Sequence, residues 1–150
     1  MKNLNIEETF VIAFENHKKN NLQVALDHYN KILKVEPSHF TALNNLGSLY
    51  ASLGDDQKAI DCYKKVLKIN PNYTDTYYNL GIIFYKLKDY QNAKSYYEKA
   101  IEIDPSHANS HNNLGNLCFV SGDFQKAKDY YEKAIEIKPD FVDALNNLGV

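Results

Sequence analysis

The chain has 150 residues, of which 44% are hydrophobic and 24% charged, and its formal net charge is −2. This composition is typical of a globular protein and not of a disordered one. All 17 basic residues are Lys, and because Arg makes most bidentate contacts to phosphate and guanine, we expect no nucleic-acid partner.

The N-terminal segment, "MKNLNIEETFVIAF", mixes acidic residues with its apolar ones, unlike the apolar core of a signal peptide. No later stretch approaches the run of ~18 apolar residues that spans a bilayer. We therefore expect a cytoplasmic location and no membrane partner. Cys62 and Cys118 lie outside any CxxC pair, and we expect both to be reduced and buried.

A spacing of 34 residues runs through the whole sequence. Four residue types keep this step: Pro37, Pro71, Pro105, Pro139; Gly47, Gly81, Gly115, Gly149; Ala25, Ala59, Ala93, Ala127; and Tyr29, Tyr63, Tyr97, Tyr131. Such a period indicates a repeat array. We place it in a single domain, with repeats at residues 6–39, 40–73, 74–107 and 108–141 and a partial fifth at 142–150.

Each period is predicted to form two helices. The first begins after a proline, with an N-cap predicted at Ser38, Asn72, Ser106 and Asp140. Its apolar residues recur at helical spacing and form one stripe. The second helix is predicted to be capped by Asp55, Asp89 and Asp123, with Asn21 in the first repeat. The next proline ends it, because proline cannot continue the hydrogen-bond ladder.

The pattern resembles the tetratricopeptide repeat family over nearly the whole chain. Its signature residues in the second repeat are Leu46, Gly47, Tyr50, Ala59, Tyr63 and Pro71, and they recur in the next two repeats. The resemblance implies an all-α, right-handed solenoid of stacked antiparallel helix pairs. It also implies that the first helix of each pair lines a concave wall and that the protein binds other proteins.

One asparagine recurs just before the Leu-Gly pair. We call Asn45, Asn79, Asn113 and Asn147 the amide row. A helical wheel places Asn45 about 150° from the apolar stripe, so we expect the row to face the concave wall, with Asn44, Asn112 and Asn116 nearby. The row is similar to the asparagine ladder in the repeats of O-linked N-acetylglucosamine transferase, which implies binding of an extended peptide by its backbone. In the first repeat Val11 interrupts the row.

Two alternatives stay open for this face. Duplication of one repeat would also copy an asparagine into each unit and leave a solvated row without a ligand. Tyr78, Ile82, Tyr85 and Phe119 share the predicted face and would supply side-chain pockets for a peptide. Phe10 and Phe14 would either extend this surface or fold over as an N-terminal cap.

The sequence contains no pattern that predicts catalysis. His107 and His111 lie four residues apart, a spacing that can bind a metal, but His111 falls in a packing position and no further ligand lies nearby. Glycine-rich phosphate loops and nucleophile motifs are absent from the sequence. We therefore expect a chain that is not an enzyme and that binds no cofactor and no metal.

Three functions remain as hypotheses. The first is an interaction module that binds an extended segment of a protein or peptide partner. The second is a scaffold unit that pairs with another copy through its open C-terminal end and its apolar groove, since solenoids normally need a polar terminal cap. The third is the recognition arm of a longer, glycosyltransferase-like enzyme, of which this chain would be the N-terminal part.

Overall fold

The computed structural model describes residues 5–149. Within this range it contains nine α-helices and no strand. In chain order they are α1 (Ile6–Lys18), α2 (Leu22–Val35), α3 (Phe40–Ser52), α4 (Asp56–Ile69), α5 (Thr74–Lys86), α6 (Tyr90–Ile103), α7 (Ala108–Val120), α8 (Phe124–Ile137) and α9 (Val142–Leu148).

The tertiary contacts divide the chain after Thr76, within α5, into two compact units. In the first unit α1 packs on α2 and α3 on α4; in the second, α7 packs on α8 and α8 on α9. Also in the second unit, α5 packs on α6 through Tyr96, whose ring lies 6.4 Å from that of Tyr77 and 5.2 Å from that of Phe84. Because short turns join the helices of each pair, the pairs are antiparallel. The predicted all-α architecture of helix pairs is confirmed.

The turn inside each helix pair needs one residue with positive φ. Gly54 and Gly122 supply it at 81° and 82°, and the corresponding residues of the other two pairs, Asn20 and Lys88, adopt 61°. This turn brings an aspartate to the start of the second helix, where its side chain accepts a backbone N–H. The predicted caps Asp55, Asp89 and Asp123 are confirmed, with oxygen–nitrogen distances of 3.1, 3.2 and 3.3 Å.

The N-caps predicted for the first helices are wrong by one residue. These helices are capped instead by His39 and His107, whose Nδ1 atoms accept the N–H of Ala42 and Ser110 at 3.1 and 3.3 Å. At Phe141 no side-chain cap forms. The polar residue after the proline lies in the preceding turn: Ser106, for example, donates its backbone N–H and its hydroxyl to Asp104.

The remaining predicted cap also differs from the structure. Asn21 stands at the start of α2 but makes no capping hydrogen bond. Its Nδ2 donates instead to Oδ1 of Asn16 at 3.1 Å, so the amide joins α2 to the end of α1.

The repeated Gly and Tyr residues pack directly on each other. A Cβ added to Gly47, Gly81 or Gly115 would lie 2.7, 2.4 or 2.5 Å from the ring of the tyrosine sixteen residues later. Only a glycine therefore lets the ring of Tyr63, Tyr97 or Tyr131 lie against the backbone of the first helix. This contact fixes the distance between the two helices of a pair.

Candidate functional site

The two predicted amides of α3 in the first unit are already hydrogen-bonded within the chain. Nδ2 of Asn45 donates to the carbonyl of Thr41 at 2.9 Å, one turn earlier in the same helix. Oδ1 of Asn44 accepts the hydroxyl of Thr76 at 2.9 Å. Both side chains are half-buried. In the described part of the chain, Oδ1 of Asn45 accepts no hydrogen bond, so one polar atom of this amide is unused.

In the second unit, α9 is joined to α7 by a network of amides. Nδ2 of Asn147 donates to Oδ1 of Asn112 and to Oδ1 of Asn116, each at 3.0 Å. The hydroxyl of Tyr131 also donates to Oδ1 of Asn116, at 2.9 Å. Asn112 is only 5% exposed. Both N–H groups of Asn147 are therefore hydrogen-bonded within the protein, and Asn112 is buried.

Asn113 lies at the surface between two tyrosine hydroxyls. Burial raises the pKa of Tyr78 and of Tyr97, and in both cases a hydrogen bond with the Asn113 side chain opposes this increase. Asn112 also donates to Oδ1 of Asn113, in a long contact of 3.4 Å. Asn79, one repeat earlier, is half-buried, and within the described residues its side chain makes no hydrogen bond.

A small cavity opens beside Asn113, and we call it the Tyr97 recess. It has a volume of about 100 Å³ and is lined by Ile82, Tyr85, Tyr97, Asn113 and Asn116. Four of these five residues are among those predicted from the sequence to bind a peptide. The fifth, Tyr97, belongs to the column of core tyrosines, and sequence analysis did not count it as a site residue.

Two equivalent aromatic pairs stand at the turns of the second unit. Tyr85 contacts Tyr90 with 5.5 Å between ring centroids, and Phe119 contacts Phe124 at 5.3 Å. The second pair is well exposed, 56% for Phe119 and 62% for Phe124. Sequence analysis missed Tyr90 and Phe124, although both follow a predicted site residue by five positions, across the turn.

The two N-terminal phenylalanines have different environments. Phe10 is half-buried, packs against the core of the first unit and stacks on His39 with a centroid distance of 5.8 Å. Phe14 stacks on Phe10 at 6.1 Å, and the Nζ of Lys18 lies 5.1 Å from its ring. Phe14 is exposed and Phe10 is not. Phe10 thus has the position expected of a cap, whereas Phe14 adds to the surface.

Fixed charges are sparse on the first helices of the second unit. From Tyr77 onwards, α5, α7 and α9 carry Lys86 and Asp143. Asp143 is exposed and lies close enough to Tyr78 for its carboxylate to contribute to the increase in the pKa of that tyrosine. The second helices carry more charged residues, and these form ion pairs at the surface within one helix. Lys99 and Glu102 of α6, for example, lie 2.9 Å apart.

The two histidines at metal-binding spacing lie at the start of α7. His107 caps α7, and Nε2 of His111 lies 3.0 Å from the carbonyl of Pro105. Among the described residues, no group of three or more metal-ligating side chains occurs. Cys62 is buried, and burial raises the pKa of its thiol to about 11. Cys118, expected to be buried, is half-buried.

None of the helices in the described range is long and apolar enough to cross a membrane. The comparison with curated protein sequences gave no match.

Similarity to solved structures extends over almost the whole chain. A structure titled "Crystal structure of MamA protein" is 28% identical, with a TM-score of 0.81, and the match covers 96% of this chain and 79% of that one. A second MamA structure is 30% identical, with a TM-score of 0.80 and coverage of 92% and 81%. The pilF protein of Pseudomonas aeruginosa is 19% identical and shows the same fold, with a TM-score of 0.87 and coverage of 95% and 65%.

The sequence model of the tetratricopeptide repeat family matches residues 38–106 and 73–140. These two segments overlap and together span more than half of the chain. They contain three of the four prolines, glycines, alanines and tyrosines of the 34-residue period, and the structure folds them into antiparallel helix pairs. The chain belongs to the tetratricopeptide repeat family.

Proposed function

We propose that this protein is an interaction module that binds an extended peptide segment along α5, α7 and α9 of its second unit. Tetratricopeptide repeats are protein-interaction modules, and this supports the general part of the proposal. The observation that carries the specific part is the Tyr97 recess, where two amides adjoin one aliphatic and two aromatic side chains. Such a mixture of apolar walls and a few polar groups is typical of ligand sites.

The amides supply groups that match a peptide backbone. A primary amide has two donors and one acceptor oxygen, and a peptide unit presents one N–H and one C=O. Asn79 and Asn113 are the two members of the amide row that we propose as contacts in this unit. Nδ2 of Asn116 donates no hydrogen bond within the described residues and would supply a third. We propose Asn45 as a separate contact of the first unit, through its unused oxygen.

The remaining predicted amides have a supporting part in this proposal. Asn147 donates its N–H groups to Asn112 and Asn116, and the second of these hydrogen bonds orients the Asn116 side chain. Three hydrogen bonds at about 0.5–1.5 kcal/mol each would contribute roughly 1.5–4.5 kcal/mol. Burial of one aliphatic side chain adds about 1.5–3 kcal/mol. Since part of this sum offsets the ordering of the peptide, we expect weak binding, near millimolar to high micromolar.

An array of immobilised random heptapeptides, incubated with the labelled 150-residue chain, tests the proposal. Asn79→Ala is the most informative variant, because no hydrogen bond inside the described part of the protein depends on this side chain. Loss of one hydrogen bond should weaken binding roughly two- to tenfold. Asn113→Ala should have a similar effect at the Tyr97 recess.

Gln125→Ala is the matched control. It also removes an exposed amide, but from α8, where Gln125 donates to Asp129 of the same helix and to no other residue in the described range. We expect this variant to bind peptides like the unchanged chain. Thermal unfolding of all variants verifies that they are folded. Equal binding by Asn79→Ala, Asn113→Ala and the unchanged chain would show that the amides do not hold a peptide.

A further inference from the structure

We propose that the second unit selects its peptide by two side chains: a branched aliphatic residue in the Tyr97 recess and a basic residue beside Asp143. This inference rests on the proposed peptide binding and adds the chemical class of the partner. It follows from three features, namely the volume of the recess, the chemistry of its walls and the distribution of charge along the first helices.

The volume of the recess favours a branched aliphatic side chain. A buried apolar cavity of about 150 Å³ accommodates benzene, whereas the Tyr97 recess has about 100 Å³. We therefore expect a side chain such as that of Leu, Ile or Val to fill the recess better than an aromatic ring does. A methyl group alone would leave most of the space empty and lose the contacts that a filled recess provides.

The walls of the recess match such a side chain. Ile82 is 40% exposed, so it has apolar surface that a ligand would cover. The ring of Tyr85 forms a second wall and is held in place by Tyr90. Asn113 and Asn116 form the polar part of the lining. An aliphatic side chain can therefore enter the recess while the adjoining backbone forms hydrogen bonds with these two amides.

Charge determines the second preference. The first helices of the second unit run parallel to one another, so their N-terminal ends share one edge. Asp143 lies in the first turn of α9 at this edge, is exposed, and forms no ion pair within the described residues. Lys86 lies in the last turn of α5, at the opposite edge. A Lys or Arg of the bound segment is complementary to this acidic edge.

A positional-scanning array of heptapeptides provides the test, with one position fixed to each amino acid and the others randomised. The unchanged chain should enrich Leu, Ile and Val at one position and Lys and Arg at another, each at least threefold over the array mean. Asp143→Asn should remove the basic preference and retain the aliphatic one. Asp129→Asn, an exposed acid on α8, is the control and should retain both.

Two substitutions at one exposed position test the recess itself. Ile82→Ala enlarges it and should allow Phe and Tyr at the aliphatic position. Ile82→Phe fills it and should abolish the aliphatic preference without affecting the basic one. Since Ile82 is partly exposed, both variants should fold, and thermal unfolding checks this.

The outcomes separate this inference from the proposed function. If peptides bind in a manner that depends on Asn79 but show no aliphatic or basic preference, the inference is wrong and the proposed function stands. The same conclusion holds if the preferences persist in Ile82→Phe and Asp143→Asn. If the unchanged chain binds no peptide, or if neither Asn79→Ala nor Asn113→Ala weakens binding, the proposed function itself fails.

Discussion

Removing one hydroxyl group from Tyr29 should stabilise the protein, whereas the same change at Tyr131 should destabilise it. Both tyrosines occupy the same position in their repeats and both are buried. The hydroxyl of Tyr131 donates to Asn116 at 2.9 Å, but that of Tyr29 has no hydrogen-bond partner among residues 5–149. The reason lies in the first helix: the residue that corresponds to Asn116 in the first repeat is Phe14, which cannot accept a hydrogen bond.

The difference in hydrogen bonding sets the expected magnitudes. A buried hydroxyl without a partner costs about 1–3 kcal/mol, so Tyr29→Phe should raise the free energy of unfolding by ~1 kcal/mol. Loss of a formed hydrogen bond should make Tyr131→Phe less stable by about 0.5–1.5 kcal/mol. The burial that leaves this hydroxyl unpaired also raises the pKa of Tyr29 to about 12.

Urea unfolding at neutral pH, followed by circular dichroism, measures both variants against the unchanged chain. Thermal unfolding gives a second measurement. For a domain of this size, 1 kcal/mol corresponds to a shift in Tm of about 2–4 °C, so the Tm values of the two variants should differ by several degrees. Tyr63→Phe should resemble Tyr131→Phe, because the hydroxyl of Tyr63 is hydrogen-bonded with Ser48, the residue that corresponds to Phe14. Equal destabilisation by Tyr29→Phe and Tyr131→Phe would refute the reasoning.

Three further predictions concern packing, capping and pH. Gly115→Ala should lower the free energy of unfolding by about 1–3 kcal/mol in a urea titration, since the new Cβ would lie 2.5 Å from the ring of Tyr131; a more stable variant would contradict this. Asp123→Ala should lower the Tm by about 2–4 °C at pH 7 and have a smaller effect at pH 3. Hydrogen bonds from Lys126 lower the pKa of Asp123, so its contribution is present above pH ~4 and is lost as the pH falls through the lowered value; an equal effect at both pH values would argue against the cap. Burial lowers the pKa of His17, so the folded state binds fewer protons and stability should decrease as the pH falls below ~6.5. His17→Gln should weaken this dependence in urea titrations at pH 5 and 7.5, and an unchanged slope would assign it to other groups.

The predicted helix ends show where local reasoning succeeded and where it did not. The caps at Asp55, Asp89 and Asp123 were predictable, because an aspartate at a tight turn has one nearby set of N–H groups to accept. Ser106 had two competing partners, the helix that follows and the side chain of Asp104. The turn placed it next to Asp104, and His107 became the cap.

The predicted site shows a similar division. A constant spacing in a helical repeat places equivalent residues in equivalent positions, so the spacing predicted which face Asn79 and Asn113 occupy. It did not predict that Asn147 would donate to Asn112 and Asn116, which lie 35 and 31 residues earlier. The spacing also did not predict that Asn112 would be buried. The hydrogen bonds of Asn147 and the burial of Asn112 both depend on the packing of α9 against α7.

The sequence by itself determined the helix pairs, their repeat length and the glycine–tyrosine contact that joins them. These features depend on interactions within one repeat, and the second, third and fourth repeats carry the same glycine and tyrosine for this contact, whereas the first has Ala13 in place of the glycine. Only the tertiary structure decided which polar groups are satisfied and which face solvent. That outcome depends on residues that differ between repeats, such as Phe14, Ser48, Ile82 and Asn116 at one equivalent position. Because a buried polar group must find its partner among such neighbours, their identity decides the chemistry of each surface.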